Sequence, residues 1–234
     1  MRVFFACLMG LVFCIGAAFA QKPLPSGIDA DKIINTFGFN EACQHGLKGN
    51  LVELKKAIAT DPTLVTSVDP KSQARVSECA VVGHQLEIIT YLVEEMKFDV
   101  NSVNAVGLSL IHYAAISNAD KIMAYLISKG ANVNIRDRSG QAALHLAAGL
   151  GNSEVVKILI QAKADISPKD NRGRTPADNI KIILEAAGNE DKSIKARIQA
   201  SYDQMLGIFY SKSFDQACTE MQKILFLISE SPKT

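Results

Sequence analysis

A period of 33 residues constrains this chain more than any other feature. Gly107, Gly140 and Gly173 are spaced by it, as are Asn104, Asp137 and Asp170, His112 and His145, Ala114-Ala115 and Ala147-Ala148, and Asn134 and Ser167. Repetition at this length marks a stacked array, in which each unit buries its apolar face on its neighbours. The clearest copy runs from Asp137 to Lys169. It opens on a turn, where Gly140 can take positive φ and the Asp137 side chain can bond its own backbone. Ala142–Ala148 then reads as a helix of small residues, broken by Gly149 to Gly151. In a second helix, Glu154–Gln161, the residues Val155, Val156, Ile158, Leu159 and Ile160 do not fit on one narrow stripe, so the helix must be covered on more than one side. One unit cannot supply that cover. A row of them can.

The remaining copies follow from this frame. Glu41–Thr60 reads as an N-terminal half-unit, with Ala42–Gly46 and Leu51–Ile58 as helices around Gly49-Asn50. Asp69–Val103 is a second unit without the usual glycine at its opening, recognisable from Cys79 to His84 and from Leu86 to Val93. Asn104–Arg136 and Asp137–Lys169 are the two regular copies. Asp170 begins a fifth that loses the pattern after Thr175-Pro176, where Thr175 is placed to cap a helix starting at Pro176. Beyond Gly188 the period is absent. Ser193–Leu206 (Ile194, Ile198, Met205) and Phe214–Ile228 (Ala217, Met221, Ile224, Leu225, Ile228) have helical spacing and would close the end of the stack.

With its Ala-Leu-His-Leu-Ala-Ala and Ile-His-Tyr-Ala-Ala helix starts, Gly-Ala-Asn-Val-Asn at 130–134, Ala-Asp-Ile at 164–166 and Gly-Arg-Thr-Pro-Ala at 173–177, the sequence resembles the ankyrin repeat family. That resemblance implies an all-α solenoid of helix-turn-helix units with short β-turn fingers. The units would span about 41–68, 69–103, 104–136, 137–169 and 170–187, and residues 188–234 would form a C-terminal helical cap. In such repeats the slot of His112 and His145 holds an imidazole that bonds backbone across the turn, and a histidine often follows the helix-breaking glycine, as His84 does. The resemblance also implies a non-enzymatic protein-binding module that acts through its concave face.

The N-terminus points to export. Arg2 precedes an apolar stretch, Val3–Phe19, that ends Ala18-Phe19-Ala20 before Gln21, the pattern of a cleavable secretory signal over 1–20. An uncleaved membrane anchor is the competing reading, since 17 apolar residues approach the length of a span. The small-x-small ending and the Pro-containing linker from Gln21 favour cleavage. Residues 21–40 would then be linker and lead-in, and the mature chain would be periplasmic or secreted, free of the membrane and monomeric by default. Without Arg2 the basic side chains fall to 24, matching the 24 acidic ones, so no bulk attraction to nucleic acid is expected. Three cysteines remain after cleavage. Cys43 and Cys79 fall on first helices of adjacent units but out of phase, which argues against pairing; buried free thiols are expected.

The chain lacks the motifs of a chemical site. There is no His-x-x-x-His or Cys-x-x-Cys spacing for a metal, no Gly-x-Ser-x-Gly, no phosphate loop and no dinucleotide fingerprint, so neither cofactor, metal nor catalytic residue is assigned. Attention therefore shifts to the surface. Placed on the family's pattern, the turn tips and first-helix ends give an apolar strip, Val81, Val82, Val106, Leu108, Ile116 and Leu150. It would be flanked by Arg136, Arg138, Gln141, Lys169, Arg172 and Arg174. Apolar anchors with a charged margin suit a protein partner. The partner could be an exported enzyme that this chain neutralises, resident envelope proteins on which it acts as a scaffold or stress-protection factor, or host proteins engaged by a secreted effector. Alternatively, the chain's own termini cover the strip.

Overall fold

The computed structural model describes residues 39–69, 74–188, 196, 199–200 and 213–231. The expected signal (1–20), nearly all of the linker, the turn-tip positions Pro70, Lys71 and Gln73, and almost all of the expected Ser193–Leu206 helix lie outside the described residues. Ten α-helices are described: α1 Glu41–Lys48, α2 Leu51–Thr60, α3 Val76–Val82, α4 Leu86–Glu94, α5 Leu110–Ile116, α6 Asp120–Ser128, α7 Ala143–Gly149, α8 Ser153–Gln161, α9 Pro176–Ala187 and α10 Phe214–Glu230. A short 3-10 turn, Pro62–Val65, follows α2. Among the described residues there is no strand, only an isolated antiparallel bridge between Arg136 and Ala142. The all-α repeat architecture that the resemblance implies is what forms. The helices fall into two compact bodies, one ending at Asp99 and one beginning at Val100.

In the first body, α1 starts because the Asn40 side chain accepts from the Cys43 N–H at 2.9 Å, and it stops at Gly49, whose φ is 70°. Its main neighbour is α3. The two helices approach closely because glycines stand at the crossing. A Cβ on Gly46 would meet Val76 Cγ2 and O at 2.9 Å, and one on Gly83 would meet Leu47 O at 2.6 Å. Gln85 then donates to Leu47 O at 3.1 Å, closing the end of α1 with a side chain from the next unit.

The second body contains three helix pairs. The first helices α5, α7 and α9 pack in one row, and α6, α8 and α10 in another. α10 therefore stands where the second helix of the fifth unit belongs, packed on its own first helix α9 and on the preceding second helix α8. The sequence period ends near Gly188, yet the structural unit is completed after an interruption of residues 188–213. Phe214, Ala217, Met221 and Ile224 are the buried face of α10, as the spacing predicts, whereas Leu225 and Ile228 are only half-buried. At Gly151, whose φ is 67°, a Cβ would lie 2.7 Å from Ala217 O, so this loop glycine lets α10 lie against the preceding unit. Side chains such as Leu144, Leu146, Val155, Val156 and Leu159 are buried between the rows; each contributes on the order of 1.5–3 kcal/mol.

Candidate protein-interaction surface

Three successive turns in the second body are built alike. In the first, Asn104 Oδ1 accepts from Val106 N at 3.1 Å and Leu108 N at 3.0 Å. In the second, Asp137 Oδ1 accepts from Ser139 N and Gln141 N, both at 2.8 Å. In the third, Asp170 Oδ1 accepts from Arg172 N and Arg174 N, both at 2.9 Å. Gly107, Gly140 and Gly173 complete them with φ of 85°, 75° and 75°. The turns are also bonded to one another through backbone. Arg138 N donates to Val106 O at 3.2 Å and Asn171 N to Ser139 O at 2.9 Å, while Asn171 Nδ2 reaches Arg138 O at 2.9 Å.

In the first helices α3, α5, α7 and α9 the third residue accepts from the backbone N–H that precedes the helix. Glu78 does this for Arg75 N at 2.9 Å, His112 for Ser109 N at 3.1 Å, His145 for Ala142 N at 3.1 Å and Asp178 for Thr175 N at 3.0 Å. One task is thus carried by three kinds of side chain. The histidines do more, because Nδ1 is occupied as acceptor and the proton sits on Nε2. His112 Nε2 donates to Gln141 O at 3.2 Å and His145 Nε2 to Arg174 O at 3.0 Å, each in the following unit. Burial pushes the His112 pKa down to about 4 and lowers that of His145. These are structural imidazoles, as expected. Glu78 instead pairs with the buried Arg75, Oε1 to Nη2 at 2.7 Å, and the Arg75 guanidinium lies 5.4 Å from the centre of the Phe98 ring.

The apolar strip expected on the surface is not there. Val81 and Val82 in the first body, and Leu108, Ile116 and Leu150 in the second, are buried, as is Gln141. In the second body the reason is that the first-helix ends are closed by the unit that follows. Asn152 Nδ2 donates to Ala115 O at 2.9 Å beside Ile116, and α10 passes over the loop next to Leu150. Leu108 is held by its N–H bond to Asn104 Oδ1, and Gln141 by two bonds to Asp137, its N–H donating to Oδ1 and its carbonyl accepting from the Asp137 N–H. Val106 is half-buried. Arg174 is half-buried too and committed to Asp170, with Nη2 to Oδ2 at 2.7 Å.

What stays accessible is the cationic part. Arg136, Arg138, Lys169 and Arg172 are exposed, and Arg136 Nη1 donates to Lys169 O at 2.6 Å, which sets those two side by side. The carboxylates of the same turns point inward and are buried. Burial raises the Asp137 pKa against the bonds from Gln141 and Ser139. At Asp170 burial also acts upward, but bonds from Arg174 and Arg172 outweigh it and the net shift is downward. The second and third of these turns therefore show solvent their cations and use their anions internally. Among the described residues no group of three or more His, Cys, Asp or Glu is placed to hold a metal, and no helix is long and apolar enough to cross a membrane.

Residues 76–176 match the sequence model of a family described as "Ankyrin repeats (3 copies)". These residues are ankyrin repeats. The matched span begins at the first residue of α3 and ends at the first of α9, and every residue of the turns described above lies within it. Similar curated proteins include the probable 26S proteasome regulatory subunit p28 of Saccharomyces cerevisiae, 28% identical over 61% of this chain and 62% of that protein. The putative ankyrin repeat protein L92 of Acanthamoeba polyphaga mimivirus is 31% identical over 50% of this chain and 29% of its own length. The E3 ubiquitin-protein ligase Ufd4 of Drosophila melanogaster is 32% identical over 46% of this chain and 4% of its own. The chain thus spans less than two thirds of these relatives, and the part shared with the ligase is a small fraction of that enzyme. Ankyrin repeats of this kind imply a protein–protein interaction module.

Proposed function

We propose that this protein is an exported, non-enzymatic binding module that grips an acidic surface of a partner protein with the turns that open its fourth and fifth repeats. The observation that carries this reading is the exposed set Arg136, Arg138, Lys169 and Arg172 on turns whose own carboxylates are buried. Such a face presents positive potential at short range although the whole chain is nearly neutral, with a formal charge of +1. Complementary charge across an interface sets register and speeds encounter. The small-x-small ending before Gln21 supports export. In that compartment an acidic patch on a resident enzyme is a natural target, and a stoichiometric neutraliser of such an enzyme fits a compact chain with no chemistry of its own.

The test is affinity capture of the protein from the envelope fraction of its own cells, comparing wild type with Arg138→Glu/Lys169→Glu. A captured partner should be lost from the variant and should dissociate as salt is raised, since exposed charges are screened within about 10 Å at 0.1 M. The variant should melt at the wild-type temperature. Retention of the partner by a normally folded variant would reject this surface. Recovery of the protein only from the cytosol would reject export.

A further inference from the structure

The pairing of Cys43 and Cys79 looked disfavoured from their phase, but the folded first body brings them together. Both are buried and free, at 2% and 3% exposure. They sit on α1 and α3, which cross closely at Gly46, and the Cβ position there lies 3.6 Å from Cys79 Cβ. Cys43 is one turn back on the same helix. Its Sγ points to Ala74 O at 3.7 Å, on the segment leading into α3, so both thiols lie in the same contact between α1 and α3. The loop residues Gly49 and His84, both at positive φ, fix the true register between the units at 35. The cysteines, 36 apart in sequence, are therefore only one residue out of step.

The geometry points to a disulfide between Cys43 and Cys79 that staples the first helices of the two N-terminal repeats. This stands on the placement of the two residues and does not depend on the binding reading. Burial pushes the Cys79 thiol well above its ordinary pKa, so little thiolate exists once the body has closed, and the thiolate is the reacting species. The bond is therefore made while the chain folds, or during local opening, by exchange with a small-molecule or protein disulfide. One thiolate attacks the reagent disulfide and releases the first reagent thiol. The other cysteine attacks the mixed disulfide and releases the second. In sum the two cysteines lose two protons and two electrons, and the reagent gains them as two thiols. Cys218, on α10, is left as the odd thiol.

The experiment uses the full chain, unfolded in guanidinium with excess reductant and refolded over a graded series of reduced and oxidised glutathione. Free thiols are then blocked, and the tryptic peptides are examined by mass spectrometry. The expected product joins residues 33–48 to residues 76–97, appears at lower oxidised glutathione than any link to Cys218, and persists in Cys218→Ser. For the same wild-type protein the oxidised form should melt several degrees above the reduced form, because the closed loop restricts the unfolded chain. That difference should vanish in Cys43→Ala, whatever the variant's own stability. The proposal is overturned if Cys43 and Cys79 are both recovered blocked throughout the series, if links to Cys218 form equally readily, or if oxidation leaves melting unchanged.

Discussion

Acid should loosen this protein in a way that can be traced to His112. Its Nδ1 accepts from Ser109 N and lies 3.0 Å from Ser109 Oγ, and its Nε2 donates to Gln141 O. Protonating Nδ1 would break what it accepts and place a charge in a site with 0% exposure. The folded pKa is accordingly about 4, against 6.5 for the free side chain. The folded value is the lower one, so above pH 6.5 neither state binds the proton and stability is at its full value. As pH falls from 6.5 toward 4 the unfolded chain takes up a proton that the folded chain refuses. Stability then drops by about 1.4 kcal/mol per unit, accumulating to roughly 3 kcal/mol. Against a typical domain stability of about 5–15 kcal/mol this is a large share. His145 shifts in the same direction, and the carboxylates titrate as well, so the contribution is isolated by difference. Urea unfolding followed by circular dichroism at pH 7, 6, 5 and 4.5, for wild type and His112→Gln, should show the wild-type advantage shrinking by about 2 kcal/mol from pH 6.5 to pH 5 or below. A gap that stays constant with pH would refute the neutral, Nε2-protonated imidazole.

Two further substitutions probe the joints between and within units. Glu78→Gln keeps an acceptor for Arg75 N but removes the carboxylate that lies 2.7 Å from the buried guanidinium, and should cost about 3 kcal/mol in denaturant unfolding. Adding Arg75→Met should recover most of that loss. Gly140 and Gly173 have the same φ of 75°, but a Cβ on Gly140 would lie 2.8 Å from Asn171 N, whereas among the described residues nothing lies within 4 Å of one on Gly173. Gly173→Ala should therefore cost only the backbone strain of about 1–2 kcal/mol, and Gly140→Ala distinctly more, read as a larger fall in melting temperature.

The repeat frame was legible because its signals are local. The turn glycines, Asp137 and Asp170 act within four residues of themselves, and the helices expected at Ala142–Ala148 and Glu154–Gln161 form at Ala143–Gly149 and Ser153–Gln161. The fifth unit was not legible as complete, since its second helix is displaced in sequence by the interruption before Phe214. The role of Glu78 was hidden for a related reason. An acid in the histidine slot does the same backbone task, and only the acceptor at the third helical position is common to all four. The apolar strip failed because a valine or leucine at a helix end reads the same whether it meets a partner or the next repeat. What decides is the side chain that arrives from elsewhere, Gln85 at Leu47 O and Asn152 at Ala115 O. The cysteines were set apart by a register that the left-handed loop residues correct.

The bonds that hold successive units together in the second body end almost entirely on backbone atoms. His112 reaches Gln141 O and His145 reaches Arg174 O. The turns join through Arg138 N and Asn171 N. Among the turn-tip cations, Arg174 is bound into its own turn, and Arg136 spends a guanidinium bond on Lys169 O. Arg138 enters the stack through its main chain, and Lys169 through its carbonyl with a minor charge interaction with Asp178, so both side chains contribute less to the fold than His112 and Asp137 do. A side chain that packing does not require can be reversed in charge without touching the core, and surface changes of this kind usually move stability by no more than about 0.5 kcal/mol. Loss of binding in a protein that melts normally would then have to arise at the surface itself, which is why Arg138 and Lys169, rather than the more buried arginines, decide whether these turns meet a partner.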